Sequence, residues 1–198
     1  MHAHGLTLCD DTPQDIKQDL DDVHKVLKRM QRNNPAVVYD ASALINLAHI
    51  NQLYLLEAMF GSVCIPPGVY DEAVRRGAGR VGAEGVQTSS FIEVVQLRDP
   101  DQVALYTGPL SHADAEVLVL AQEQHAALVI THDRRMRRRA RREGLTVITT
   151  FALLIEAKRG GFVQAVKPLL DEMRSKRMLI RDGTYQETLR QARELPRE

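Results

Sequence analysis

Two rhythms of apolar and polar positions alternate along the chain. Short apolar runs closed by turn-forming residues occur at 36–39, 62–65, 91–96, 127–131 and 145–148, all too brief for a helix and therefore read as strands. Between them apolar residues return every three or four positions, the period of a helix with one buried face. Such segments run from 41 to about 60, then over 69–76, 111–124 and 134–142, with closing helices at 151–158, 162–175 and 184–194. Strand and helix in alternation predict an α/β fold with a doubly wound, mostly parallel sheet. Ahead of the first strand, residues 12–32 place Ile16, Leu20, Val23, Leu27 and Met30 on one stripe, with acids early and bases late as the helix dipole favours. That stripe must be covered, by the chain's own domain or by a second subunit.

Residues 77–90 are rich in glycine and small side chains and read as a flexible loop. They contain GAGRVG at 77–82, formally GxGxxG. A polar helix precedes it and no apolar helix follows, so it lacks the setting of a dinucleotide-binding turn.

The 198 residues suit one domain of ordinary size with appended helices: an N-terminal extension over 1–35, a core over 36–152, and C-terminal helices over 153–198 packed on that core. Basic and acidic residues number 26 each, so the formal net charge is zero and any nucleic-acid partner must be met by a local patch. Cys9 and Cys64 lie far apart, and Cys64 falls in an apolar strand pattern, which fits a reducing interior better than a disulfide framework. No apolar run approaches the roughly 18 residues of a membrane span, and the N-terminus lacks a basic region followed by an apolar one. The expectation is a cytoplasmic protein with no membrane partner.

The first strand ends on Asp40 and passes directly into a helix. Asp40 thus sits at the carboxyl edge of a strand, the rim where open α/β sheets hold ligands, although Asp and Ser are also good helix caps. Three more acids fall at comparable places: Glu72 in the helix after the second strand, Asp114 at a helix start, and Asp133 just after a later strand. In a parallel sheet these positions share one rim, so acids distant in sequence can converge. Convergent carboxylates repel and raise one another's pKa; a divalent cation relieves this, and oxygen ligands suit Mg²⁺ or Mn²⁺. A cation held by acids with open positions suits phosphodiester hydrolysis, since it polarises the phosphoryl oxygen and lowers the pKa of a bound water. A carboxylate not committed to the metal can take the water proton. The bland alternative is four surface acids that cap helices.

The segments VVYDASALINLA, VCIPPGVYDEAV, HADAEVLVLA and LVITHDRRM, in this order, resemble the PIN domain, a family of metal-dependent nucleases that includes many toxins of bacterial and archaeal toxin–antitoxin pairs. The resemblance covers about 36–152, and the continuation from TTFALLIEAKRGGF to LIRDGTYQETL is similar to the helical tail of one branch of that family. It implies a three-layer α/β/α fold with a mostly parallel central sheet. It places the family's four acids on Asp40, Glu72, Asp114 and Asp133, and its small hydroxyl positions, which orient the acids or the water, on Ser42 and Thr131. It further implies Mg²⁺ or Mn²⁺ held by Asp40, Asp114 and Asp133, cleavage of single-stranded RNA (DNA is not excluded), a small antitoxin protein as partner, and a homodimer. The third motif offers both Asp114 and Glu116, about 200° apart on a helix, so only one can face the site squarely. Asp114 is preferred because Val117, Leu118 and Ala121 then pack beneath it, and Glu116 is the second choice of ligand. The prologue helix is absent from the shortest members of the family.

Residues 134–142 hold seven arginines in nine positions, with Met136 and Ala140 sharing an inward face. Arg134 and Arg135 follow Asp133 closely and are candidate nucleic-acid contacts, because guanidinium forks bind phosphate well; a solvated helix face is the alternative. His132 either touches substrate or faces solvent. With few aromatics and no tryptophan, base stacking is not evident. Where a haloacid-dehalogenase-like phosphatase would carry a second aspartate, Ser42 stands, and the acid pair and lysine of a receiver domain are not visible. The stronger rival is a PIN-like scaffold without chemistry that binds RNA or protein; the presence of all four acids weighs against it.

Overall fold

A computed structural model of the chain describes residues 8–9, 11–30, 35–77, 82–176 and 178–195. The elements in the first half are β1 (Leu8–Cys9), α1 (Pro13–Met30), β2 (Val37–Tyr39), α2 (Ala41–His49), α3 (Tyr54–Phe60), β3 (Val63–Ile65), α4 (Pro67–Tyr70), α5 (Ala83–Thr88) and β4 (Ile92–Val94). The second half adds α6 (His112–Glu123), β5 (Leu128–Ile130), α7 (Arg134–Arg142), β6 (Val147–Ile148), α8 (Thr150–Arg159), α9 (Lys167–Ser175), β7 (Leu179–Ile180) and α10 (Asp182–Gln191).

The apolar runs form one sheet of order β4-β3-β2-β5-β6 in which every neighbouring pair is parallel. Strands β2, β5 and β6 are buried throughout, as expected for strands covered by helices on both faces, whereas β4 at the edge is partly exposed. The fold is α/β with a five-stranded parallel sheet flanked by helices. Among the described residues no helix is long and apolar enough to cross a membrane.

Local departures from the sequence pattern have physical causes. The helix expected to run to residue 60 is two helices, α2 and α3, because Asn51 turns left-handed (φ 52°), a conformation Asn tolerates well. The segment 77–90, expected as a flexible loop, contains α5, which buries Ala83 and Val86; its high glycine count hid that short apolar face. Residues 78–81 of GAGRVG lie outside the described residues. Helix α9 starts later than its pattern suggested, at Lys167, where the Glu194 carboxylate accepts the amides of Val166 (2.6 Å) and Lys167 (2.8 Å) and so caps its first turn. Helix α8 is buried from Thr150 to Ala157 and runs through residues 152 and 153 without a break.

The prologue helix is covered by its own chain. Ile16, Leu20, Val23 and Val26 are buried on the face where α1 packs against β6, α8 and α10; the side chain of Met30 lies outside the described residues. Strand β1 joins β7 in a separate parallel ribbon that the sequence pattern did not anticipate.

This N-terminal segment also carries three carboxylates inward. Asp11, fully buried, pairs through Oδ1 with Arg137 Nη1 (2.5 Å) and through Oδ2 with His132 Nδ1 (3.0 Å). The Thr184 hydroxyl donates to the Asp11 carbonyl, tying in α10. Asp15 stands 3.5 Å from Arg137 Nη2, and Asp19 accepts from Arg141 Nη2 (2.7 Å) and the Thr149 amide (2.9 Å). Arg137 is only 1% exposed, so removing its principal partner would strand a buried charge. Asp11→Ala is expected to destabilise the fold by about 3–5 kcal/mol, read from the urea midpoint. Asp21→Ala, exposed on the same helix, should stay within about 0.5 kcal/mol of the parent.

Candidate active site

Chain order reverses between β2 and β5: the path runs outward from β2 through β3 to β4, then returns to build β5 and β6 on the other side. Ligands of open α/β sheets bind at such a switch point, beyond the carboxyl ends of the strands. The Asp40 amide donates to the Ile130 carbonyl (3.1 Å), so the chain leaves β2 and β5 side by side.

Asp40 caps α2: its Oδ1 accepts the Ala43 amide at 2.6 Å, and the Ser42 hydroxyl donates to the same carboxylate at 3.1 Å. Burial pushes its pKa up, against the opposing pull of the Thr131 hydroxyl, the Ala43 amide, the charge of His132 and the Ser42 hydroxyl. Thr131, fully buried, links two acids, since its Oγ1 also accepts the Asp133 amide at 3.0 Å. Asp133 in turn caps α7, accepting the Met136 amide at 2.6 Å.

Asp114 stands in the first turn of α6, where Ser111 caps the helix and donates its hydroxyl to Asp114 Oδ2 at 2.8 Å. Glu72 lies in a single π-helical turn, Asp71–Arg75, closed by the Arg76 amide on the Asp71 carbonyl (2.8 Å). Such wide turns are rare and recur at functional sites. Asp40, Glu72, Asp114 and Asp133 line one cleft of about 270 Å³, with Ser42, Ser111 and His132 completing the wall. Glu116 does not line it. It points at α4, accepting the Gly68 amide at 2.6 Å and lying 3.2 Å from His112 Nε2. A Cβ at Gly68 would sit 2.5 Å from Glu116 Oε2, which explains the glycine after Pro66-Pro67.

The acids disturb one another. Burial raises the Asp114 pKa to about 6, helped by the charges of Asp40, Asp133 and Glu72 against the Ser111 hydrogen bond. Burial raises Glu72 too, opposed by Arg76 and reinforced by Asp40 and Glu116. Crowded oxygen donors of this kind suit a hard divalent cation. Among the described residues, as they stand in this structure, no three such side chains are grouped closely enough to hold a metal ion.

Arg134 and Arg135 are exposed on the first turn of α7, beside Asp133. His132 is not solvent-facing: it is 2% exposed and packs edge-on to Phe151, ring centroids 5.2 Å apart. Two residues of this neighbourhood escaped the sequence reading. Ser111 was findable, since Ser-x-x-Asp ahead of an apolar helix is a capping signature. Asp11 was not, because its partner His132 lies 121 positions away.

Because folding raises the Asp114 pKa from 3.8 to about 6, the folded metal-free protein binds that proton more tightly than the unfolded chain. The group is neutral in both states well below pH 4, and its ionisation subtracts stability as pH rises through about 6. Asp114→Asn should therefore unfold like the parent near pH 4 and be more stable by ~1–3 kcal/mol near pH 8, measured by urea denaturation in EDTA. Saturating Mn²⁺ should erase that advantage.

Comparison with known proteins is consistent with this architecture. A search of curated proteins finds no match. The family described as PIN domain matches residues 36–194, from the first strand of the central sheet past the end of α10. A match over that much of the sequence decides the family, and the chain belongs to the PIN domain family.

Proposed function

We propose that the protein is a Mg²⁺- or Mn²⁺-dependent endoribonuclease. PIN domains are generally nucleases, and the observation that carries the finer reading is the convergence of Asp40, Glu72, Asp114 and Asp133 on one cleft at the switch point of the sheet. Asp40, Asp114 and Asp133 are the residues that would hold the cation. A helix amide or a capping hydroxyl fixes one oxygen of Asp114 and of Asp133 and leaves the other for a ligand. When bound, the cation supplies Lewis-acid polarisation of the phosphoryl oxygen and relieves the repulsion among the acids.

The chain's own groups do the rest. Ser42 and Thr131 hold the Asp40 carboxylate in one rotamer, as preorganised sites require. Glu72 is the proton acceptor in this reading: it is half-buried, its pKa is raised, and among the described residues it is the acid least engaged by hydrogen bonds, with only Arg76 Nη1 at 3.6 Å. Glu116, as the acceptor of the Gly68 amide, keeps α4 and the turn bearing Glu72 against α6. Arg134 and Arg135 are placed to meet phosphates entering beside Asp133. On family grounds the protein is the toxin of a toxin–antitoxin pair, its partner a small protein that covers the acidic cleft, and it acts as a homodimer in the cytoplasm.

Wild-type protein should cut single-stranded RNA in Mn²⁺ or Mg²⁺ and not in EDTA. Asp40→Asn and Asp114→Asn should lower that rate at least ~10²-fold, and Glu72→Gln by about 10²–10⁴-fold, with circular dichroism unchanged. Mn²⁺ affinity by calorimetry should fall in Asp114→Asn and largely persist in Glu116→Gln. A folded wild type that binds no Mn²⁺ and cuts no RNA would leave the inactive scaffold as the better reading.

A further inference from the structure

Helix α7 sorts its arginines by face. Met136 and Ala140 point to the core, and Arg137 and Arg141 turn toward the acids of the N-terminal segment. Arg135, Arg138, Arg139 and Arg142, spaced i, i+3, i+4, i+7, form a separate stripe. This stripe lines a second cleft of about 260 Å³. Arg139 is partly neutralised by Glu143 (2.9 Å) and lies over the Tyr106 ring, 4.7 Å from its centroid. Arg135, Arg138 and Arg142 are exposed and make no ion pair among the described residues.

The opposite wall is apolar. It exposes Leu105, 73% accessible and thus unusually open for a large apolar side chain, and Pro109, with the buried Tyr106 and Leu110 beneath them. A solvated cationic face needs no such wall. Guanidinium groups facing an exposed apolar wall suit a single nucleic-acid strand, with phosphates on the arginines and the less polar parts of the nucleotides against Leu105 and Pro109.

The two clefts also share a rim on both sides. Leu110 lines the arginine cleft and Ser111 the acidic one; Asp133 lines the acidic cleft and Arg135 the arginine cleft. A strand leaving the acids therefore passes onto the arginines within one turn of α7. We propose that this cleft is a second subsite, which binds the phosphate backbone of the same single-stranded RNA whose scissile bond lies among the acids. The inference rests on the ribonuclease reading for the identity of that strand.

The test is fluorescence anisotropy of a short fluorescein-labelled oligouridine in EDTA, titrated at several salt concentrations. Arg138→Gln with Arg142→Gln should weaken binding about tenfold and lower the slope of log affinity against log salt by about 1.4, roughly 0.7 per phosphate contact. Arg98→Gln, an exposed arginine beside Glu123 at the other end of α6 from Asp114, should change neither. The altered residues make no ion pairs among the described residues, so the fold should persist, and a thermal melt checks it.

Unchanged affinity and slope in the double variant overturn the proposal, as does a wild type that fails to bind at low salt. Tighter, arginine-dependent binding of polyglutamate than of RNA overturns it in favour of an acidic protein partner. Because binding is read in EDTA, arginine-dependent binding without cleavage in Mn²⁺ or Mg²⁺ would sink the nuclease reading and keep the subsite. Cleavage with normal binding by the double variant would do the reverse.

Discussion

Parallel pairing of β2 with β5 is the contact on which the rest depends. Val37, Val38 and Tyr39 stand opposite Leu128, Val129 and Ile130, and the Asp40 amide adds one more bond to the Ile130 carbonyl. Both strands are only three residues long, so burial on both faces, more than ladder length, holds their register. That register places Asp40 beside Thr131 and Asp133. Two helices then start from the same rim, each capped by one of these aspartates. Helix capping and cation binding are therefore not competing accounts of Asp40 and Asp133. The caps fix the carboxylates, and the positive ends of α2 and α7 favour their negative charge.

A formal net charge of zero hides a strong segregation. Asp11, Asp15 and Asp19 are set against Arg137 and Arg141, where each sign compensates the other. The acids of the cleft have Arg76 on Glu72 and the caps, and at Asp114 and Glu72 burial raises the pKa with the neighbouring acids adding to it. The N-terminal segment precedes the family match at 36–194, yet Asp11 reaches His132, whose charge opposes the rise of the Asp40 pKa. The extension thus forms part of the wall behind the cleft and covers the cationic face of α7 that the core alone would leave unpaired.

How much of this was legible follows from the range of each interaction. The strands could be read because a strand covered on both faces is a bare apolar run, as at 128–130. The bounds of α7 could be read to the residue, since Asp133 announces its start and Glu143-Gly144 its end. The shared cleft of four acids could be anticipated from the common rim of a parallel sheet. The choice between Asp114 and Glu116 could only be narrowed by helix geometry; it took the Gly68 amide to show where Glu116 is engaged. The π-helical turn under Glu72, the β1–β7 ribbon and the Asp11 cluster depend on neighbours remote in sequence or on one extra residue in a turn. No local periodicity encodes them.

The arrangement also answers an electrostatic difficulty of acid-lined sites. A phosphodiester about 4 Å from a single carboxylate meets roughly 4 kcal/mol of repulsion at an effective dielectric near 20, and this cleft presents several. In the proposed reading a cation among the acids would remove part of that barrier, but only for the phosphate it touched. The neighbouring phosphates of a strand still need a favourable surface, and it has to begin close by because attraction between exposed charges fades over a Debye length of about 10 Å. Helix α7 meets that requirement geometrically. Its cap is one of the acids and its first exposed turn already carries Arg134 and Arg135, so the change of sign falls within a helical rise of about 5.4 Å. Pairing Arg137 and Arg141 with the prologue acids keeps that face of the helix from adding to a diffuse positive field, and among the described residues leaves Arg134, Arg135, Arg138 and Arg142 without ion pairs, the last three on the stripe that lines the second cleft.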